Sequence, residues 1–119
     1  MRFFADLEQI GGTHVTMEVS SHALALRRIY AIGYHTAVFT NLTRDHLDFH
    51  GTMQDYFEAK QLLFQPEDAP PPRYAVLNRD DEWAGRIFTS GETIWYGTGP
   101  DSDLRAENIE SGLHGLRFD

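Results

Sequence analysis

The spacing of apolar and polar positions changes several times along this chain, and each change marks an element. Phe3, Phe4, Leu7 and Ile10 recur at helical spacing and predict a helix over 3–11, stopped by Gly11-Gly12. From His14 the period falls to two. Val15, Met17 and Val19 share one side, which predicts a strand over 14–19. Ser20-Ser21 is a natural N-cap pair, and a helical pattern follows in 22–30 with Leu24, Leu26 and Ile29 apolar. The run TAVFT over 36–40 predicts a second strand, apolar enough to be buried on both faces, and 41–51 reads as a polar loop. Thr52 and Asp55 resemble a capping box with Asp in place of Glu, opening a helix over 52–64. A Pro-rich surface connection over 65–73 leads to a strand at 74–78, a helix at 80–88 and a strand at 93–97. The tail reads as two short strands around Ser111-Gly112, forming a hairpin.

Strands alternating with helices predict an α/β fold with a mostly parallel sheet, flanking helices and a short C-terminal β-hairpin. There is no internal repeat and no low-complexity tract. No apolar run is long enough to span a bilayer, and the opening MRFFADLEQ lacks the apolar core of a signal peptide. With 119 residues the chain accommodates one small domain. Both ends look cut, because doubly wound domains usually open on a strand and this chain opens on a helix. The expectation is therefore a partial domain spanning 1–119.

Composition narrows the function classes. The formal net charge of -8 argues against the basic footprint of a nucleic-acid binder. An acidic chain that handles phosphates needs a local device such as metal ions. The sequence contains no cysteine, which removes disulfides, thiolate metal sites and cysteine nucleophiles together and fits a cytoplasmic protein.

Four constellations can carry chemistry. Glu18 lies near the carboxyl end of the predicted strand 14–19, where open α/β sheets bind ligands; a carboxylate there either holds magnesium, or caps the next helix or faces water. The run 41–51 follows a strand directly and offers Asp45, His46, Asp48 and His50, a set suited to metal or phosphate, or else a solvated loop whose Asp residues cap turns. Lys60 falls in the middle of the apolar stripe of Tyr56, Phe57, Leu63 and Phe64. It either snorkels to the surface or is a functional lysine with lowered pKa or a covalent modification. Asn78, Asp80 and Asp81 again sit just past a strand, as an Asx turn and helix N-cap or as contacts to a nucleotide. There is no G-x-x-x-x-G-K-[ST] motif, so the usual backbone cradle for ATP phosphates is missing from these residues.

The blocks Met17-Glu-Val-Ser-Ser-His-Ala-Leu24 and Val38-Phe-Thr-Asn-Leu-Thr-Arg-Asp-His-Leu-Asp-Phe-His-Gly51 resemble the Mur ligases. Thr52-Met-x-Asp-Tyr-Phe-x-Ala-Lys60, Val76-Leu-Asn-Arg-Asp-Asp81, Tyr96-Gly97 and Arg105-Ala-Glu-Asn108 are similar to the UDP-N-acetylmuramoyl-tripeptide synthetase branch. The resemblance implies part of the central ATP-binding domain of an ATP-dependent amide-forming ligase. Such an enzyme phosphorylates the carboxylate of a UDP-muramoyl dipeptide, and a diamino acid (meso-diaminopimelate or lysine) then attacks the acyl phosphate in peptidoglycan biosynthesis.

Carried over residue by residue, the resemblance makes Glu18, His46 and Lys60 magnesium ligands, with Lys60 carboxylated and both His46 and Lys60 catalytic. It places Ser20 and Arg28 on the UDP-muramoyl substrate, although Leu26 stands where the family usually has Gln. Asn41 and Asp45 match motif positions, and Asn41, Asn78 and Asp81 are candidate nucleotide contacts. The implied cofactor is Mg2+ with ATP as co-substrate, in a cytoplasmic, monomeric full enzyme that inserts in no membrane and binds no nucleic acid. The P-loop and the amino- and carboxy-terminal domains of that family fall outside these residues, so the chain alone is expected to be inactive. The alternatives are another Mur ligase or a folylpolyglutamate synthetase, and a small non-catalytic domain that binds metal or a partner.

Overall fold

The computed structural model describes residues 2–44, 47–113 and 115–119, with backbone alone for Arg2, Phe3 and Leu47. Helix α1 (Arg2–Gln9) ends where the glycine pair demands. Gly11 takes φ +85°, and the N–H groups of Gly11 and Gly12 close back on the carbonyls of Glu8 and Leu7 at 3.0 and 2.8 Å. That double closure is a Schellman motif, which favours glycine at the left-handed position.

Residues 14–19 do not form the expected strand. They run without secondary structure past the free edge of β1 (Thr36–Phe39), separated from it by a cleft of about 790 Å3. An alternating segment becomes a strand only when a neighbour accepts its backbone hydrogen bonds, and here the facing edge is not within reach. One link across the gap is a contact of 3.6 Å from the Tyr34 hydroxyl to the Met17 sulfur.

Helix α2 (Ser21–Ala25) is also shorter than its pattern. Arg27 adopts φ +52°, and the N–H groups of Arg27 and Arg28 bond Leu24 and Ala23 carbonyls at 3.0 and 2.8 Å. This is the same C-terminal closure with an arginine at the glycine position, and the Arg27 side chain is paired with Glu67 at 2.6 Å. The expected loop over 41–51 contains a short helix, α3 (Leu47–His50). Helix α4 (Met53–Gln61) starts as predicted. The Thr52 hydroxyl accepts from the Asp55 N–H at 3.1 Å and donates to the Asp55 carboxylate at 2.6 Å.

Strands β2 (Tyr74–Asn78) and β3 (Glu92–Gly97) lie where their sequence predicts. The expected helix over 80–88 is reduced to a single 3-10 turn, Ala84–Arg86. The Asp81 carboxylate captures the Trp83 N–H at 2.9 Å, satisfying locally a group that a longer helix would have used. In the tail, β4 (Leu104–Arg105) joins the sheet, and β5 (Glu110–Gly112) pairs antiparallel with β6 (Gly115–Arg117). The hairpin is as expected, with its turn between Gly112 and Gly115 rather than at Ser111-Gly112.

The main sheet has the order β1-β2-β3-β4, and every pairing is parallel. Register sets Phe39 beside Leu77 and Asn78 beside Tyr96, so three strands end together along one edge. Ala37, Phe39, Ala75 and Leu77 pack against Tyr56, Phe57 and Phe64, which anchors α4 and the turn after it across one face. Val38 points the other way and is half exposed, so β1 is buried on one face and not on both as expected. The result is the predicted α/β fold, with a parallel sheet, helices against it and an antiparallel C-terminal hairpin.

Candidate functional site

The parallel registers bring the carboxyl ends of β1, β2 and β3 to one edge, and the candidate residues collect there. Asn78 closes β2 and donates from Nδ2 to the Thr40 carbonyl just beyond β1, at 2.8 Å. Its Oδ1 accepts the Asp80 N–H at 3.0 Å, which makes the Asx turn. Asp81 accepts the Leu42 N–H at 3.0 Å through Oδ2 while its Oδ1 holds the turn at Trp83. Asn78 and Asp81 therefore clamp the segment Thr40–Leu42, and Asn41 is presented, exposed, between the two clamped residues. Asp80 reaches the other way and accepts the Thr98 N–H at 2.8 Å.

Lys60 sits on the last turn of α4, half buried under this edge. Its Nζ lies 5.3 Å from the Tyr56 ring centre and 6.0 Å from that of Phe39, within cation–π range of both. It also lines the cleft between β1 and the segment 13–19, together with Glu18. Burial lowers the lysine pKa, and the negative charges of Asp81 and then Glu18 oppose that shift only in part. The stripe position of Lys60 thus leaves its amine half buried beside the cleft, in the field of two carboxylates.

Tyr96, at the end of β3, contacts the Phe39 carbonyl at 3.4 Å through its hydroxyl. Burial raises its pKa, and Asp81 and Asp80 add to the rise. Sequence reasoning did not single out Tyr96 as part of this cluster; its register opposite Asn78 is the signal that could have done so. Asp81 is by sequence a candidate nucleotide contact, and its charge is also the first carboxylate felt at Lys60.

The remaining candidates fall at α2 and α3. Ser20 is the N-cap of α2, its hydroxyl accepting the Ala23 N–H at 3.2 Å. Arg28 is exposed beyond the other end of that helix. Of the cluster in 41–51, Asp45 and His46 lie outside the described residues, Asp48 is exposed, and His50 is hydrogen-bonded to the buried Ser21 hydroxyl at 2.9 Å. Among the described residues, no three His, Cys, Asp or Glu side chains converge as a ready metal cage. The oxygen donor that the cleft offers a hard divalent cation is the Glu18 carboxylate, with the Lys60 amine lining the same cleft. No helix among the described residues is long and apolar enough to cross a membrane.

Known proteins match this chain along most or all of its length. The chain is 59% identical over 121 residues to the UDP-N-acetylmuramoyl-L-alanyl-D-glutamate–2,6-diaminopimelate ligase of Solibacter usitatus, a match covering 100% of this chain and 24% of that protein. It is 47% identical over 109 residues to the corresponding L-lysine ligase of Staphylococcus haemolyticus, covering 88% of this chain and 22% of that protein. The L-lysine ligase of Staphylococcus aureus is 45% identical over 113 residues, covering 92% of this chain and 23% of that protein. The chain thus spans about a quarter of the length of the curated relatives it matches. The model of the Mur ligase middle domain matches residues 1–119, the full sequence, and the chain belongs to that family.

Proposed function

We propose that this chain forms the lysine-bearing part of an ATP-dependent ligase that adds a diamino acid to UDP-N-acetylmuramoyl-L-alanyl-D-glutamate in peptidoglycan synthesis. The observation that carries this reading is Lys60, an amine half buried near two aromatic rings, with its pKa lowered by burial, sharing a cleft beside β1 with Glu18 and lying in the field of Asp81. Relatives whose names specify this ligation, with either diaminopimelate or lysine, match along 88–100% of the chain.

In the reaction, a carboxylate oxygen of the dipeptide attacks the γ-phosphorus of ATP, giving an acyl phosphate and ADP. The amine of the diamino acid then attacks the acyl carbon, phosphate leaves with the bonding pair, and the amine loses one proton. Lys60 supports this as a carbamate. Its neutral amine forms an N–C bond to carbon dioxide and releases a proton, which converts a cation into an oxygen donor. The lowered pKa enlarges the neutral fraction that can react. Glu18, His46 and the Lys60 carbamate would hold magnesium, which when bound offsets phosphate charge. Ser20 and Arg28, at the two ends of the α2 segment, bind the UDP-muramoyl peptide. Asn41 is held out by the Asn78–Asp81 clamp toward the nucleotide. The cradle for the ATP phosphates comes from parts of the ligase outside these residues, so the 119-residue chain alone does not turn over. The complete enzyme works as a cytoplasmic monomer, where ATP and the nucleotide-linked substrate are made.

A graft tests the proposal. The full chain replaces its matching segment in the Solibacter usitatus ligase, with phosphate release followed in the presence of each diamino acid. Ligation of diaminopimelate or lysine to the muramoyl dipeptide is expected. Lys60→Ala in the graft is expected to lower kcat by at least about a hundredfold, the scale of losing a preorganised charge-stabilising group. Activity restored in part by short-chain carboxylic acids would identify a lost carboxylate. A Lys60→Ala graft as active as the parent overturns the role given to Lys60. An inactive parent graft overturns the ligase reading.

A further inference from the structure

Ser21 is buried, 2% exposed, and its hydroxyl is hydrogen-bonded to His50 Nε2 at 2.9 Å. The pair joins the first residue of α2 to the last residue of α3. The His50 ring then lies nearly parallel to Tyr56, 5.0 Å centre to centre and 12° between planes. Tyr56 stands one turn before Lys60 on α4, and its ring is the nearer of the two aromatic faces to Nζ. His22, the next residue of α2, packs on Phe49 at 4.1 Å, so the junction of α2 and α3 has an apolar contact beside the polar one. Helices α2 and α3 both pack on α4. One continuous path therefore runs Ser21–His50–Tyr56–Lys60.

We propose that His50 is a positioning residue that sets the N-terminus of α2, and with it Ser20, at a fixed distance from Lys60. The physical reason is economy of register. A four-residue helix has little stability of its own. A buried hydroxyl must keep its partner, so the Ser21–His50 bond defines one angle between α2 and α3. The flat stack on Tyr56 seats α3 on α4. His50 does not need to touch substrate to act, because Ser20 is covalently next to Ser21 and the lysine lies one turn beyond Tyr56.

This inference rests on the ligase reading, and the experiment separates the two. In the grafted ligase, His50→Phe keeps an aromatic ring for Tyr56 and removes Nε2. His50→Gln keeps a polar partner for Ser21, and Ser21→Ala removes the hydroxyl at little change in volume. His50→Phe and Ser21→Ala are each expected to raise KM for the UDP-muramoyl dipeptide about three- to tenfold, the factor that one lost hydrogen bond corresponds to. KM for ATP should hold, the double variant should be no worse than either single one, and His50→Gln should recover part of the loss. Equal loss in every kinetic parameter, additive effects in the double variant, or a fall in Tm with no change in KM overturns the proposal. A parent graft without ligase activity removes the ligase reading and this inference with it. An active parent with unchanged His50→Phe and Ser21→Ala kinetics removes this inference alone.

Discussion

At the scale of single residues, Lys60 shows what a sequence pattern can and cannot say. Its place in the apolar stripe of α4 was legible, and so was the conflict between a cation and that stripe. The outcome depended on partners far away in sequence: Phe39 from β1, Asp81 from the turn after β2 and Glu18 from the segment before α2. Because burial lowers its pKa, Lys60 binds fewer protons in the folded than in the unfolded state between its folded value and the ordinary lysine value of about 10.4. Its contribution to stability is therefore present in full above about pH 10.4 and is lost as pH falls through the folded pKa. Urea unfolding of the parent and of Lys60→Met, in carbon-dioxide-free buffer, checks this. The stability of the parent relative to Lys60→Met should rise with pH across that window and be flat below it. A flat difference throughout would mean that the amine is as well solvated as any surface lysine. Asp81 was harder to read, because its type suits a turn, a cap and a charge partner alike; it holds the turn at Trp83 with one oxygen and the Leu42 N–H with the other, acts on Lys60 through its field, and caps no helix.

Elements were legible where local chemistry decides and obscure where a neighbour does. The glycine closure of α1, the Thr52 cap of α4 and the strands β2 and β3 each follow from residues within or beside the element. Segment 14–19 has as clear an alternation as any strand here and still lacks pairing, because a strand is a property of two chains. The short α2 was hidden for another reason: nothing in the type of Arg27 announces a left-handed residue, which its contact with Glu67 accompanies. Gly91 carries a prediction at this scale. It leads into β3, and a Cβ there would overlap the Pro72 carbonyl oxygen and lie 2.7 Å from that of Arg73. Both obstacles are backbone, and the Glu92 N–H is bonded to the same Arg73 carbonyl at 2.9 Å, so neither can yield without disturbing the β2–β3 pairing. Gly91→Ala should cost about 1–3 kcal/mol, the range for forced overpacking, measured by denaturant unfolding against Gly85→Ala as a control with open space around it. Equal stability of the two variants would refute the steric argument.

For the molecule as a whole, the sheet has one well-covered face and, at β1, a free edge. Phe39, Phe64 and Leu77 are nearly sealed, whereas Val38 on β1 is 50% exposed, and Val15 and Met17 across the cleft are exposed too. An edge strand of this kind offers unpaired backbone groups beside apolar side chains, and nothing in it acts against pairing with another chain. The net charge of -8 opposes association at long range, but screening over about 8 Å at physiological salt leaves contacts at the edge unaffected. The 119-residue chain is therefore expected to self-associate with rising concentration and rising salt, followed by light scattering after size exclusion. Val38→Lys should suppress this, because it sets a charge on the exposed face of β1 while Ala37 and Phe39 keep their places in the core. The hairpin gives the competing origin, since Leu113, Leu116 and Phe118 are also exposed. If Leu116→Lys suppresses association and Val38→Lys does not, the sticky surface is the hairpin and the β1 edge is shielded by the segment that lines its cleft.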